Sequence, residues 1–338
     1  MVFRKQSGGE IEIFCLEPIG MKVTEVLSSR PPVVWKALIG GASKWKRGLV
    51  LQKQIKISGE PVDVFARYVG KYEDAFAIEL SWTPDTILFD QVLTEAGNIP
   101  LPPYLKRAVE ELDHERYQTT FAAPAGSVAA PTAGLHFSHN VLNELSRKNI
   151  QVEYLTLHVG AGTFKPVTAA TMSGHLMHRE NFVVTRSFLN ALIQHESGHV
   201  TAVGTTSLRT LESLYIAGCK LLRRQEQAFT ISQWEGYDDH EETITKKDAL
   251  SAILKHLDQN GIDEMQGSTE LLIAPSYPLR MADTLVTNFH QPASTLLLLV
   301  AAFAGPGWKE MYEYAINHDF RFLSYGDGCL IIRGNSFS

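Results

Sequence analysis

The hydrophobic pattern of this chain changes character once, and that change limits the folds open to it. Apolar and polar residues alternate in short runs at 10–16, 49–57, 62–69 and 75–82. Period-two alternation marks strands with one buried face. Ser7-Gly8-Gly9, Ser58-Gly59 and Gly70 supply turns between them. Short strands at this spacing form a small barrel or sandwich. A helix over 89–96 closed by Gly97 follows, and then Pro100-Leu-Pro-Pro103, which fits neither a helix nor a central strand. From about residue 125, strands alternate with helices instead. Ser138 can cap a helix over 140–148 with Val141, Leu142 and Leu145 on one face. A strand over 151–159 follows. Ser187 can cap a helix that buries Phe188, Leu189, Leu192 and Ile193 and ends at Gly198. A strand over 200–203 leads through Gly204 into a helix over 208–217. A helix is expected over 247–257, in the charged stretch 220–267. Strands are expected at 284–286 and 329–332, and Pro292 opens an apolar helix that stops at Gly305. Strand–helix alternation implies an α/β domain with a mostly parallel sheet layered with helices. The expected domains are 1–124, mainly a small β-barrel with an extended linker, and 125–338, an α/β catalytic domain.

The 338 residues suffice for two such domains, and 44% hydrophobic with 20% charged residues suits a soluble core-forming protein. The first residues carry no apolar signal stretch. The longest apolar run, 296–304, is too short to cross a bilayer. Cys15, Cys219 and Cys329 are scattered, which fits a reducing cytoplasm better than a disulfide frame or a zinc ribbon. A net charge of −6 gives no support to non-specific nucleic-acid binding. A local patch remains open: residues 44–56 hold Lys44, Lys46, Arg47, Lys53 and Lys56 around Trp45, with no acid among them. Such a run is either a solvated strand face or a site for a phosphate backbone.

Chemistry collects at three strand ends, where open α/β sheets bind ligands. The first is 157–167, where a strand breaks at Gly160 and Gly162 with His158, Thr163 and Lys165 around them and Pro166 beyond. Lys165 stands where a dinucleotide fingerprint needs its third glycine, no Gly-Lys-Ser/Thr follows, and a lone Gly-x-Gly is also an ordinary turn. The second is Gly204-Thr-Thr-Ser-Leu-Arg209, whose helix-start N–H groups and hydroxyls suit a carboxylate, a ribose or a phosphate. The third is residues 287–295, Thr287-Asn-Phe-His290 onward. Ser and Thr at helix starts also serve simply as caps. His136, His158, His175, His178 and His290 gather among these motifs. His175 and His178 are spaced to share a helix face near Glu180. A metal is one reading, but the spacing is not that of HExxH, and hydrogen bonding or proton transfer is the other.

Six motifs occur in order: Pro131-Thr-Ala-Gly-Leu-His-Phe137, residues 157–167, His175-Leu-Met-His-Arg-Glu180, residues 203–213, residues 287–296 and Arg321-Phe-Leu-Ser-Tyr-Gly-Asp327. Leu101-Pro-Pro-Tyr104 and Tyr117-Gln-Thr119 accompany them. Together they resemble the S-adenosylmethionine:tRNA ribosyltransferase-isomerase family of queuosine biosynthesis. The resemblance implies an α/β domain with a small inserted β-barrel domain. It implies transfer and isomerisation of the ribosyl group of S-adenosylmethionine onto 7-aminomethyl-7-deazaguanine at the tRNA wobble position. Epoxyqueuosine-tRNA forms, and adenine and methionine leave. S-adenosylmethionine is then a consumed donor, with no metal expected. The partner is a tRNA with a GUN anticodon, and the enzyme a cytoplasmic monomer with no membrane contact. On this basis S-adenosylmethionine is expected against Gly160, Gly162, Thr163, Thr205, Thr206, Arg209 and Asn288. His158, His290 and Asp327 are the candidates for proton transfer, and His136 and His178 for substrate binding. Lys44, Lys46 and Arg47 would hold tRNA, with Lys220, Arg223 and Arg224 second, and the barrel patch would face the cleft of the α/β motifs. The family carries an N-terminal segment, with a Leu-Pro motif and an Asn-Asp/Asn-Thr-Arg-Val motif, that this chain starts after. Phe320 replaces a usual Tyr, Gly328-Cys329 a usual Ala-Met, and 220–267 is longer than in many members. Two other readings are a metal-dependent hydrolase built on the histidines and a catalytically inactive tRNA-binding paralogue. Metal analysis and adenine release separate the three.

Overall fold

The computed structural model describes residues 1–5, 8–46, 48–73, 75–98, 110–121, 131–158, 172–195, 198–237 and 244–333. Met1–Glu115 fall in one compact unit, and the described residues from Arg116 onward in a second.

The first unit contains β1 (Val2–Arg4), β2 (Glu10–Pro18), α1 (Val23–Leu27), β3 (Val33–Gly40), β4 (Val50–Ile57), β5 (Glu60–Tyr72), β6 (Ala75–Thr83) and α2 (Phe89–Ala96), with α3 (Glu111–Arg116) at its boundary. Its sheet runs β1-β2-β3-β6-β5-β4, every pairing antiparallel. β1 also lies against β4, so the sheet curls into a nearly closed six-stranded barrel. The alternation read from the sequence produces this. Ile11, Ile13, Val62, Val64, Ala66, Ile78 and Leu80 point inward and are fully buried. Register shifts at Cys15/Glu17 and Tyr68/Gly70 mark two irregularities of the kind that sharpen strand twist. Phe89 from α2 fills one end, its ring 5.6 Å from both Trp35 and Trp82. Burying such a ring contributes about 1.5–3 kcal/mol.

The basic run divides between inside and outside. Trp45 is 7% exposed, donates Nε1–H to the Leu49 carbonyl at 2.8 Å and meets Tyr68 edge-on, so it belongs to the core. Lys53 reaches the Ala96 carbonyl at 3.0 Å, where it complements the negative end of α2. Lys44, Lys46 and Lys56 are exposed. Arg47 lies outside the described residues.

The second unit contains α4 (His139–Arg147), β7 (Thr156–His158), β8 (Glu180–Thr185), α5 (Arg186–Gln194), β9 (Thr201–Val203), α6 (Thr205–Leu222), β10 (Thr230–Ile231), α7 (Lys246–Asn260), β11 (Glu264–Thr269), β12 (Thr284–Asn288), α8 (Thr295–Ala304), α9 (Trp308–Asn317) and β13 (Gly328–Ile332). The mostly parallel sheet expected here is not what forms. The described residues form two small mixed sheets, β10-β11-β8-β7 and β13-β12-β9. Among the described residues only β10–β11 and β12–β9 are parallel; β11–β8, β8–β7 and β12–β13 are antiparallel. The reason lies in the connections. α5 links β8 to β9 and α6 links β9 to β10, and in each case the two strands belong to different sheets. Alternation of strand and helix along the chain does not say which strands pair.

Several element boundaries differ from those the local punctuation implies. Ser138 caps α4 through Val141 N–H, but α4 buries none of its residues. Thr185 rather than Ser187 caps α5, accepting from Phe188 N–H at 3.3 Å. Ser294 caps α8, so that helix opens after Pro292 rather than at it. The strand expected over 151–159 is confined to Thr156–His158 within the described residues. α6 is the core's central helix, burying Leu208, Leu211, Leu214, Ile216 and Ala217. At Gly218 it meets α7 so closely that a Cβ would run into the backbone of Ala249.

Candidate active site

β9 and β12 are parallel neighbours in register Val203↔Val286, so their carboxyl ends lie side by side. After β9 the chain turns through Gly204, at φ 96°, whose N–H donates to the Val286 carbonyl at 2.8 Å. That positive φ favours glycine. α6 begins at the next residue, so its first-turn N–H groups open close to the end of β12.

A 3-10 turn, Thr132–His136, closes on this corner. Thr132 Oγ1 donates to Asn288 Oδ1 at 2.9 Å, and Asn288 Nδ2 meets His136 Nε2 at 2.9 Å. With its oxygen accepting from Thr132, the carboxamide presents a donor to the ring, so His136 offers a lone pair at Nε2 and carries its proton on Nδ1. Burial lowers the His136 pKa, against the pull of Asp327. Asp327 accepts from the Arg321 backbone N–H at 2.7 Å and from Nη2 at 3.0 Å, bonds that hold its carboxyl below the usual range. Gly328 packs on the same ring: a Cβ there would sit 3.2 Å from His136 Cδ2, so alanine would require the imidazole to shift.

A second cluster lies one helical turn further along α6. Glu180, the first residue of β8, is fully buried. Its Oε1 accepts from His178 Nε2 at 2.9 Å and its Oε2 pairs with Arg209. Burial pushes the Glu180 carboxyl up, but the Arg209 guanidinium and the His178 hydrogen bond outweigh it and hold the group at about 2. The helix expected to align His175 with His178 is absent: residues 175–179 are not helical. Gln233 holds this segment instead, donating to the His175 carbonyl at 2.7 Å and accepting from Met177 N–H at 3.0 Å.

The remaining expected residues disperse. His290 is buried, with Nε2 bonded to Thr287 Oγ1 at 2.9 Å, and burial lowers its pKa to about 4. His158 is exposed on β7 opposite Asn181, so it shares the Asn181 face of the sheet and not the Glu180 face. Gly160, Gly162 and Thr163 lie outside the described residues. Lys220 pairs with Glu235 at 3.0 Å and donates to the Thr230 carbonyl, so it serves its own unit. Among the described residues no three His, Cys, Asp or Glu side chains gather as a metal site. No helix there is long and apolar enough to cross a membrane. Sequence reasoning does not single out Thr132 or Gln233. Thr132 stands inside a motif already noted, whereas Gln233 falls in the charged stretch that gives no pattern.

Adjacent strand ends feeding a helix start, with a histidine and a carboxamide locked beside them, define an α/β protein whose polar side chains gather at one end of a sheet. The chain belongs to the queuosine biosynthesis protein family, whose sequence profile matches residues 1–331. The S-adenosylmethionine:tRNA ribosyltransferase-isomerase of Trichlorobacter lovleyi is 34% identical over 97% of this chain and 80% of its own length. That of Dichelobacter nodosus is 35% identical over 98% of this chain and 76% of its own length. A crystal structure of the S-adenosylmethionine tRNA ribosyltransferase from Thermotoga maritima is 26% identical, over 98% of this chain and 77% of that one, at a TM-score of 0.39. The resemblance carried by the six motifs is borne out by the family match.

Proposed function

We propose that this chain transfers and isomerises the ribosyl group of S-adenosylmethionine onto 7-aminomethyl-7-deazaguanine in tRNA, giving epoxyqueuosine-tRNA, adenine and methionine. The observation that carries this reading is the near-complete alignment to relatives named for that activity. The geometry supports it: first-turn N–H groups, hydroxyls and a fixed carboxamide suit the carboxylate and ribose of the donor. We assign Thr205, Thr206 and Asn288 to S-adenosylmethionine, with Gly160, Gly162 and Thr163 joining them on motif grounds. His136 is assigned to substrate.

The chemistry needs a base to free the amine or the ribose 5′ carbon and an acid to help adenine depart. Asp327, whose charge acts on the substrate-side His136, is the first candidate. His290, with a pKa near 4, is a weak base at neutral pH. His158 and His290 are tested by alanine substitution, which lowers turnover without unfolding the chain if either moves a proton. Lys44, Lys46 and Arg47 are assigned to tRNA phosphates. Lys5 joins them, its Nζ donating to the Lys44 carbonyl at 3.1 Å. We further propose a monomer acting in the cytoplasm on tRNAs with a GUN anticodon.

The test is incubation with S-adenosylmethionine and tRNA carrying the deazaguanine base, following adenine. Stoichiometric release with that tRNA, and none with a tRNA lacking the anticodon, is expected. Binding of both substrates with no release assigns the chain to an inactive tRNA-binding role. Stoichiometric metal held by His136, His158, His175 or His178 assigns it to metal-dependent hydrolysis.

A further inference from the structure

The buried carboxylate at Glu180 joins a partly exposed histidine to a buried arginine, and its surroundings are built to keep it so. The backbone and side chains around it are fixed from several sides. Gln233 holds the segment at residues 175 and 177. Met177 is buried with Leu272 and Ala274. Arg179 turns outward to Glu270 at 2.9 Å. Glu180 itself faces Thr269 across β11, and Thr269 Oγ1 bonds Ser213 Oγ of α6 at 2.8 Å, one turn beyond Arg209. His178 stands at the outer end of this arrangement, its side chain one-quarter exposed.

An ionised carboxylate only accepts hydrogen bonds, so His178 Nε2 must carry a proton toward Glu180. Nδ1 is then the basic nitrogen of the neutral ring. A histidine whose tautomer and orientation are set by a buried carboxylate is the arrangement used for proton transfer, because the carboxylate also stabilises the imidazolium that forms. Arg209 keeps Glu180 ionised from the far side. Glu180 faces the ring directly and Arg209 acts through it, while Arg179 is engaged by Glu270.

We propose that His178 is a proton-transfer residue of this active site and that Glu180 is its positioning residue. This rests on the ribosyl-transfer reading given above. In the step, an N–H or C–H bond of the bound substrate breaks and its electron pair stays on the substrate atom. The proton moves to Nδ1, and the imidazolium is stabilised by its hydrogen bond to Glu180, which it shares with Arg209. No oxidant or reductant enters.

The experiment has two arms. In the first, His178→Ala is compared with the parent chain for adenine release. kcat is expected to fall at least 100-fold, with KM for S-adenosylmethionine within threefold, the melting temperature nearly unchanged, and partial rescue by added imidazole. Turnover within about threefold of the parent overturns the proposal. In the second, the chain is labelled with 15N-histidine and studied without substrates. His178 is expected as the Nε2–H tautomer in the parent, and that preference is expected to be lost in Glu180→Gln. Because Glu180→Gln strands Arg209, the same spectrum is taken for Glu180→Gln with Arg209→Met, which removes both charges. An unchanged tautomer in a folded variant overturns the positioning role. If the parent itself releases no adenine, the ribosyl-transfer reading fails, while the tautomer arm still decides the role of Glu180.

Discussion

At the residue scale, Asn288 sets the polarity of its corner of the site. Its oxygen is committed to Thr132 and its nitrogen to His136. Asn288→Asp keeps the shape but turns the donor facing His136 Nε2 into an acceptor. The ring must then carry a proton on Nε2, and the new carboxylate favours the charged imidazolium over the other neutral tautomer, so the His136 pKa should rise by about one to three pH units. A histidine NMR titration reads this, and a pKa at or below that of the parent sinks the assignment. His290 makes a separate pH argument. Burial lowers its folded pKa to about 4, whereas an unfolded histidine titrates near 6.5. Between those values the unfolded chain binds the proton and the folded one does not. The stability present above about pH 6.5 is therefore lost progressively as pH falls toward 4, by roughly 3 kcal/mol in full. Urea unfolding across this window should show the loss, and His290→Asn should flatten it. Equal slopes for the two proteins would mean that other groups govern acid stability.

At the element scale, α6 carries much of the second unit's organisation. Its first turn borders the site, Arg209 pairs with Glu180, and Glu212 accepts the N–H groups of Arg280 and Met281, each at 2.9 Å. Its position against α7 depends on Gly218. Gly218→Ala should force the helices apart and cost about 1–3 kcal/mol by overpacking. Gly307→Ala, where nothing lies within 4 Å, is the control. Denaturation midpoints compare the two, and equal midpoints would remove the close crossing. Helix ends of this kind were legible: Gly97 closes α2 and Gly305 ends α8, because caps and breakers act over a few residues. Sheet membership was not, since pairing joins residues far apart in sequence. The same limit hid which candidate residues meet. His136 and Asn288 are 152 positions apart, and the segment of His178 is held by Gln233, 56 residues beyond Met177. Trp45 looked like part of an exposed patch because its lysine neighbours are polar. Only the barrel's closure shows that its ring turns inward.

At the scale of the whole molecule, a net charge of −6 has to coexist with the tRNA partner proposed above, which is polyanionic. Many cations are already committed: Lys36 to Glu17 and Glu73, Arg67 to Glu79, Arg186 to Asp258 and Asp263. Among the described residues Lys44 and Lys46 carry no ion pair, which leaves their charge available to phosphate. Lys44→Glu with Lys46→Glu should weaken tRNA binding and flatten its salt dependence, by about 0.7–0.9 in log–log slope for each phosphate no longer neutralised. S-adenosylmethionine affinity should not change. An unaltered slope would return these lysines to the role of a solvated face. The hold of Gln233 on residues 175 and 177 has a consequence of another kind. Two backbone groups are gripped by one amide and a third point, Glu180, is tied to Arg209, so the stretch between them works as a ruler. Leu176, 87% exposed, lies between the grips and touches little. Variation is therefore tolerated there in letter but not in count: many side chains fit at 176, whereas one inserted or deleted residue would put His178 out of step with its carboxylate.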